Sequence, residues 1–392
     1  MANFDSVRSY MRDQKIDAWL VYDFRGSNPV LAQLLPGQRW TTRRAVLFIP
    51  TDGEPVLLAH GIDEHQFDGV PVKRELYLSW QDLGNWLAAA VAGRNRVAME
   101  YAPGGTLPVV SITDAGTVEM VRSLGAEVVS SANLIQVCVA TWSPAAQEGH
   151  ASASTKVNCI KDEAFALIKD RLTKSQRVHE HEVQQFILDQ FKAAGLEATE
   201  PPIVAVNAHS GDPHYEPSAD KPTPIQRGDW VLIDLWARLP TEANVYSDIT
   251  WVGFAGREVS PRHREVFNAV RAARDAAVKR SQDAWRRRES VQGWQLDDAA
   301  RNVIIDAGFA HGIRHRTGHS LSPGPMVHGL GMNLDNLETH DTREMLPGIG
   351  FTIEPGIYLP EFGVRLEINL FVDPQRGPTI TSGVQDEPIL LA

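Results

Sequence analysis

The sequence predicts an α/β protein in two domains, and three observations predict it. The chain has 392 residues, beyond the roughly 250–300 residues at which a single hydrophobic core stops growing. Its first ~140 residues alternate short apolar runs with helical patterns, the signature of an α/β domain. Between Cys138 and Pro144 that alternation breaks and long helical stretches begin. The expected domains are therefore 1–140 and 141–392.

Taken in order, Ala18 to Tyr22 reads as a short apolar strand. Asp23-Phe24-Arg25-Gly26, at its end, reads as a solvated loop. Arg44 to Ile49 and Pro55 to Ala59 flank Pro50-Thr51-Asp52-Gly53-Glu54, whose Asp-Gly pair signals a hairpin. Arg96 to Tyr101 is a further strand. Past the boundary, residues 145–173 and 180–195 read as helices, the second carrying Val183, Phe186, Ile187 and Phe191 near helical spacing and stopping at Gly195. The clearest helix spans 261–287, with Ser260 as cap, Pro261 in the first turn and an apolar face of Val266, Phe267, Val270, Ala273 and Ala277. Strands are expected at Trp230 to Leu235, Ser247 to Val252, Phe351 to Ile353 and Arg365 to Val372.

Composition narrows the function classes. At 43% hydrophobic and 22% charged residues the chain is ordinary globular material, and its net charge of -11 disfavours nucleic acid as a partner. Cys138 and Cys159 are too few for a disulfide framework or a thiolate zinc site. The segment Met1-Ala2-Asn3-Phe4-Asp5 lacks a signal-peptide core, and no run approaches the ~20 apolar residues that span a bilayer. A cytoplasmic protein without a membrane partner is expected.

The chemistry concentrates in the second half. Asp234 interrupts Val231-Leu232-Ile233-Asp234-Leu235-Trp236, a strand apolar enough that its carboxylate needs a cation or a hydrogen-bond cage. Two-residue alternation puts Tyr246, Asp248 and Thr250 on one face, so Thr250 is expected to orient Asp248. Glu354 ends an apolar strand and is held by the Pro355-Gly356 turn. Arg365 and Glu367 share a face, where a simple ion pair is the plainer reading. Histidines gather nearby in His315-Arg316-Thr317-Gly318-His319 and at His328, with His214 upstream. Each acid alone reads as a cap or an ion-paired residue, and each histidine alone as a hydrogen-bonded core or surface residue. Together, the carboxylates of Asp234, Asp248, Glu354 and Glu367 with the imidazole of His319 form an oxygen-rich donor set suited to two divalent ions such as Mn²⁺, Co²⁺ or Zn²⁺.

In this order, and with the motifs Thr317-Gly318-His319, Ile353-Glu354-Pro355-Gly356-Ile357-Tyr358 and Gly363-Val364-Arg365-Leu366-Glu367, residues from about Pro202 to Asp373 resemble the pita-bread metallopeptidase family, peptidase family M24. Xaa-Pro dipeptidase (prolidase) and aminopeptidase P are its nearest members. The first half resembles, more loosely, the creatinase-like domain that prolidase, aminopeptidase P and creatinase carry. The resemblance implies a pita-bread α+β catalytic domain, with Asp234 on one ion, Asp248 and Glu367 bridging both, and His319 with Glu354 completing the other side. It also implies roles in substrate and transition-state contact for His214 and His328, a substrate-pocket place for His315, and a homodimer in which Asp23 or Arg25 could serve the partner's site. Two departures stand out. The Asp234 to Asp248 segment is lengthened at Arg238-Leu239-Pro240-Thr241-Glu242, and so is the His319 to His328 segment, with Ser322-Pro323 where a glycine is usual and Gly329 where an acid is common.

The expected reaction is hydrolysis of Xaa-Pro dipeptides by a hydroxide bridging two metal ions, with Glu354 as proton shuttle and Arg365 as a fork for the substrate carboxylate. Proline specificity comes from the resemblance alone. Aminopeptidase P activity on longer Xaa-Pro peptides is the near rival. A metal-free creatinase-type hydrolase and a binding protein that has kept the fold are the other classes, which elemental analysis and a Glu354→Ala variant would separate.

Overall fold

The computed structural model describes residues 4–35, 37, 39–241 and 243–391. Glu242 of the lengthened segment, and Met1, Ala2 and Asn3 of the N-terminal stretch, lie outside the described residues. The chain divides into two compact units, residues 1–140 and 141–392.

The first unit is built on a six-stranded mixed sheet of order β4-β3-β2-β1-β5-β6, formed by β1 (Ala18–Phe24), β2 (Arg44–Pro50), β3 (Val56–His60), β4 (Lys73–Tyr77), β5 (Arg96–Met99) and β6 (Glu127–Ser130). Its helices include α1 (Phe4–Asp13), α2 (Pro29–Leu34), α3 (Trp80–Val91), α4 (Ala115–Ser123) and α5 (Ala132–Ile135). β1 lies between antiparallel β2 and parallel β5, which is why it reads as a continuous apolar run. Leu20, Val46, Phe48 and Val97 meet Leu87 and Val91 of α3 and Val121 of α4 in one core. Gly53 takes φ +115 in the turn joining β2 to antiparallel β3, a conformation glycine adopts without steric penalty.

Asp23 is not solvated as expected. It is 2% exposed, and its carboxylate accepts from the backbone N–H groups of Gly26 at 2.9 Å and Asn28 at 2.8 Å, so it organises an ordered turn. The strand beginning at Arg96 ends at Met99, short of Tyr101. Glu100 follows, fully buried, accepting from Trp19 Nε1 (2.7 Å), Asn28 Nδ2 (2.9 Å) and Ser131 Oγ (3.0 Å). Burial pushes its pKa up to about 7 against the pull of those donors.

The second unit opens with α6 (Pro144–Thr173), capped by Ser143 accepting from Ala146 N, and α7 (Glu180–Ala193). Their buried stripe, including Val157, Phe165, Ile168, Val183, Ile187 and Phe191, packs on a four-stranded sheet of order β16-β9-β8-β7. That sheet comprises β7 (Ile203–Val206), β8 (Trp230–Ala237), β9 (Ser247–Phe254) and β16 (Ile389–Leu390). α8 (Pro261–Arg287) is capped by Ser260 as the sequence predicts, and packs against α9 (Gly293–Asp306). A second sheet, order β10-β11-β14-β15, is formed by β10 (Ser320–Leu321), β11 (Gly350–Ile353), β14 (Ile368–Asp373) and β15 (Gly377–Ile380), while β12 (Gly356–Tyr358) and β13 (Gly363–Arg365) form a separate pair. This is the pita-bread architecture.

The expected strand from Arg365 to Val372 is in fact two. β13 pairs with β12 and β14 with β11, and Leu366 and Glu367 lie between them. At the crossing, Glu367 N donates to Thr250 O of β9 at 3.2 Å. The chain changes ladders here, and that change delivers Glu367 to the β8-β9 sheet. Among the described residues no helix is long and apolar enough to cross a membrane.

Candidate metal centre

The site begins with register. β8 and β9 pair antiparallel with Asp234 opposite Thr250 and Trp236 opposite Asp248, so the two aspartates fall on one face, diagonal to each other, despite the lengthened connection. Thr250 does not orient Asp248, as alternation suggested. Its hydroxyl lies 2.9 Å from both Asp234 Oδ1 and Glu367 Oε2, because the cross-strand partner is nearer than the same-strand neighbour. Asp248 is held by Asn369, whose amide accepts from Asp248 N at 3.0 Å and donates back to Asp248 O.

The opposite wall comes from β11 and the turn before β10. Thr352 Oγ1 accepts from His319 N at 2.9 Å and donates to Glu354 Oε1 at 3.1 Å, tying both side chains to one hydroxyl. His319 Nδ1 faces Ser320 O at 3.1 Å, which selects the Nδ1–H tautomer and leaves the Nε2 lone pair pointing inward. That nitrogen stands 3.4 Å from Asp248 Oδ2 and 3.5 Å from Glu354 Oε1.

A cation bound among these groups would take up the imidazole lone pair and neutralise the carboxylates. The imidazole itself stays neutral, since burial drives the His319 pKa down to about 3. Burial, reinforced by the charges of Asp234 and Glu354, holds the pKa of Asp248 well above the carboxylate range. Burial and the charges of Asp248, Glu354 and Asp234 do the same to Glu367. Asp248, His319 and Glu367 each offer a donor atom within 4.8 Å of the others. Carboxylate oxygens with one imidazole nitrogen, crowded and short of positive charge, fit divalent metal ions.

All nine residues singled out from the sequence line one cavity of about 640 Å³: Asp234, Asp248, His319, Glu354, Glu367, His214, His315, His328 and Arg365. His328, at the far end of the lengthened segment, lies with its ring centroid 4.0 Å from that of His319. The repulsion that two protonated rings would suffer at this distance, followed by burial, lowers its pKa to about 3. Within the lengthened segment the two departures lie against each other. Gly329 N donates to Ser320 O at 2.8 Å and Ser322 Oγ accepts from Leu330 N at 3.2 Å. A Cβ on Gly329 would come within 2.1 Å of Ser322 Oγ and 2.8 Å of Ser322 N. Glycine at 329 therefore makes room for serine at 322.

Arg365 is 5% exposed and pairs with Asp234 rather than Glu367. Its Nε donates to Thr250 Oγ1 at 2.9 Å and its Nη1 to the Tyr358 hydroxyl at 3.0 Å. His315 uses both ring nitrogens within the chain, Nδ1 on Arg316 O at 2.6 Å and Nε2 on the same Tyr358 hydroxyl at 2.7 Å. Burial raises the Tyr358 pKa to about 12, so the hydroxyl keeps its proton.

Tyr358, Thr352 and Asn369 were missed by sequence reasoning. Period-two alternation from Glu354 through Gly356 would have found Tyr358. Nothing local marks Asn369, whose partner Asp248 is 121 positions away.

A model described as metallopeptidase family M24 matches residues 153–374, more than half of the chain. The chain belongs to metallopeptidase family M24. Among its relatives, the Xaa-Pro dipeptidase of Pyrococcus horikoshii is 28% identical over 214 residues, 54% of this chain and 55% of that protein. The chain spans about half the length of the curated relatives it matches. Solved structures align over nearly all of it. Dipeptidase PepE from Mycobacterium ulcerans gives a TM-score of 0.71 at 22% identity, covering 99% of this chain and 96% of that one. The X-prolyl aminopeptidase of Caenorhabditis elegans, titled a cytosolic enzyme with a di-nuclear active site, gives 0.63 at 16% identity, covering 98% and 62%. At these identities the structural likeness speaks for the fold.

Proposed function

We propose that the chain is a metal-dependent exopeptidase that hydrolyses Xaa-Pro dipeptides, with Asp234, Asp248, His319, Glu354 and Glu367 holding two divalent ions. The observation that carries the reading is the His319 Nε2 lone pair standing 3.4 Å and 3.5 Å from two carboxylates, with Asp248, His319 and Glu367 close enough to share one ion. Bound divalent ions would supply Lewis acidity for the scissile carbonyl and lower the pKa of a water toward neutrality.

The chain's own groups supply the rest. Glu354 Oε1 accepts from Thr352 Oγ1, a tie that supports Glu354 as the group that takes a proton from water and returns it to the leaving nitrogen. His214 and His328, on the cavity wall, stabilise the developing oxyanion and the leaving group. Arg365 spends one N–H on each of Asp234, Thr250 and Tyr358. A guanidinium has five N–H donors, so one remains on each terminal nitrogen, a fork for the free carboxylate of a dipeptide. The cavity of about 640 Å³ is ample for a dipeptide.

Mn²⁺, Zn²⁺ and Co²⁺ all suit this donor set, and manganese is the ion we would load first. The relative titled a cytosolic di-nuclear enzyme supports two ions and a cytoplasmic location. A homodimer is supported by the first unit. Around the 3₁₀ turn Gly61–Phe67, Trp40, Ile62, Leu78 and Trp80 are 77%, 66%, 75% and 72% exposed, an apolar area of the kind that partners cover. A comparison of an Xaa-Pro dipeptide with an Xaa-Pro tripeptide, at defined metal content, tests the function. Cleavage of the dipeptide supports it, cleavage of the tripeptide alone transfers the reading to aminopeptidase P, and turnover without metal defeats it.

A further inference from the structure

The loop that carries His214 joins β7 to β8, and its fixed points converge on one carboxylate outside the cavity. Glu180, the first residue of α7, is 1% exposed. It accepts from Val206 N at 2.7 Å, from His209 Nδ1 at 3.0 Å and from the Tyr215 hydroxyl at 2.6 Å. These donors come from the start, the middle and the end of the segment 206–215, the last adjoining His214. His209 and Tyr215 also stack on each other, ring centroids 4.2 Å apart at 23°. Burial, and then the Glu180 charge, raises the Tyr215 pKa, so the hydroxyl remains a donor.

A carboxylate in the first turn of a helix is commonly explained by the helix dipole. Here that duty falls to Glu182, whose side chain accepts from His179 N at 2.9 Å and closes the capping box. The bonds of Glu180 run to the loop instead. α7 is anchored in the core by Val183, Ile187 and Phe191, so a bond to Glu180 ties the loop to an element packed into the core. The rest of the segment is equally confined: Gly363 N donates to Ser210 Oγ at 2.8 Å, and a Cβ on Gly211 would come within 2.5 Å of Leu359 O.

We propose that Glu180 is a positioning residue for His214, clamping the 206–215 segment so that the imidazole is presented to the cavity. The inference rests on the catalytic role proposed for His214. Glu180→Gln keeps the shape and an acceptor oxygen but loses the charge, and Tyr215→Phe removes one clamp without touching α7. If His214 acts in the transition state, both variants lower kcat on an Xaa-Pro dipeptide by about ten-fold or more, with KM changed by less than about two-fold. In the His214→Ala background the same substitutions have little further effect, because the group they position is gone. In metal-free protein, Glu180→Gln raises amide exchange across 207–216 while α7 keeps its protection.

Equal losses of kcat in the wild-type and His214→Ala backgrounds would overturn positioning in favour of general destabilisation. Unchanged exchange in 207–216 would overturn the clamp itself. A wild-type kcat in His214→Ala alone would defeat the catalytic reading of His214, and the positioning claim with it, even where exchange shows the clamp to be real.

Discussion

The fit between Gly329 and Ser322 can be measured as a coupling energy. In Gly329→Ala the new Cβ meets Ser322 Oγ at 2.1 Å and, less avoidably, Ser322 N at 2.8 Å, so the backbone must move. Overpacking of this kind costs about 1–3 kcal/mol. The φ of Gly329 is not in the left-handed region, so alanine also gains about 0.4–1 kcal/mol from a less flexible unfolded chain. The net expectation is destabilisation by about 1–2 kcal/mol. Ser322→Gly alone gives up the hydrogen bond to Leu330 N, about 1 kcal/mol. The double variant removes the side chain that the new methyl group would strike, so it should be less harmed than the sum of the two, with a coupling of about 1 kcal/mol. Urea unfolding of the wild type and the three variants gives the cycle, and Xaa-Pro hydrolysis reports on His328 at the end of the segment. Additive losses, or a neutral Gly329→Ala, would refute the idea that the two departures compensate.

Other consequences can be checked alongside. Asp248→Asn should lower bound metal per chain by elemental analysis, while leaving the β8-β9 pairing intact by circular dichroism. Chelation should lower the thermal midpoint, and added Mn²⁺ should restore it, because mutual repulsion among the three buried carboxylates and the partly exposed Glu354 is relieved by cations; about 2.7 kcal/mol is gained at a hundred-fold excess over Kd. A midpoint indifferent to metal would count against the centre. Glu100 gives a pH dependence remote from it. The folded pKa is raised from 4.5 to about 7, so the folded state holds the proton more tightly and the contribution is complete below pH 4.5. It is lost as pH rises to about 7, a fall of about 3 kcal/mol. Glu100→Gln should flatten the urea midpoint across that window, and an unaltered slope would reject the assignment.

Much of this was legible because local patterns decide it. α8 begins where Ser260 and Pro261 say it should, and the Asp52-Gly53 hairpin follows from turn chemistry. The metal-binding candidates were found by their order and motifs. Their surroundings were not, for a physical reason: apart from Glu354, which Thr352 holds from two residues away, the acids are oriented by partners remote in sequence. Thr250 is 117 positions from Glu367, and Asn369 is 121 from Asp248. Alternation can say which residues share a face, and it did so correctly for Asp248 and Thr250. It cannot say which neighbour across the sheet is nearest, and so Thr250 was assigned to the wrong carboxylate. Asp23 failed differently. A charged residue at a strand end reads as solvated unless the backbone N–H groups that will satisfy it are anticipated, and Gly26 and Asn28 supply them only once the turn has formed.

The break between β13 and β14 is the most instructive disagreement. Read as one strand, Arg365 to Val372 would place Arg365 and Glu367 on one face as a plain ion pair, and the metal reading would lose a ligand to a neighbour. The observed change of ladder at Leu366 separates them: Arg365 turns to Asp234, Tyr358 and Thr250, while Glu367 crosses to Thr250 with its carboxylate close to Asp248 and His319. The same break thus gives Asp234 a positive partner and leaves Glu367 without one of its own. Two acids in one pocket are treated unequally by a single arginine, and the one left short of charge is the one grouped with Asp248 and His319. If that asymmetry is functional, Arg365→Lys should do more than weaken substrate binding. A point charge cannot bond Asp234, Thr250 and Tyr358 in one plane, so Asp234 should be displaced and metal occupancy should fall together with kcat/KM. A variant that keeps its full complement of metal and shows only a higher KM would mean that Arg365 serves the substrate alone.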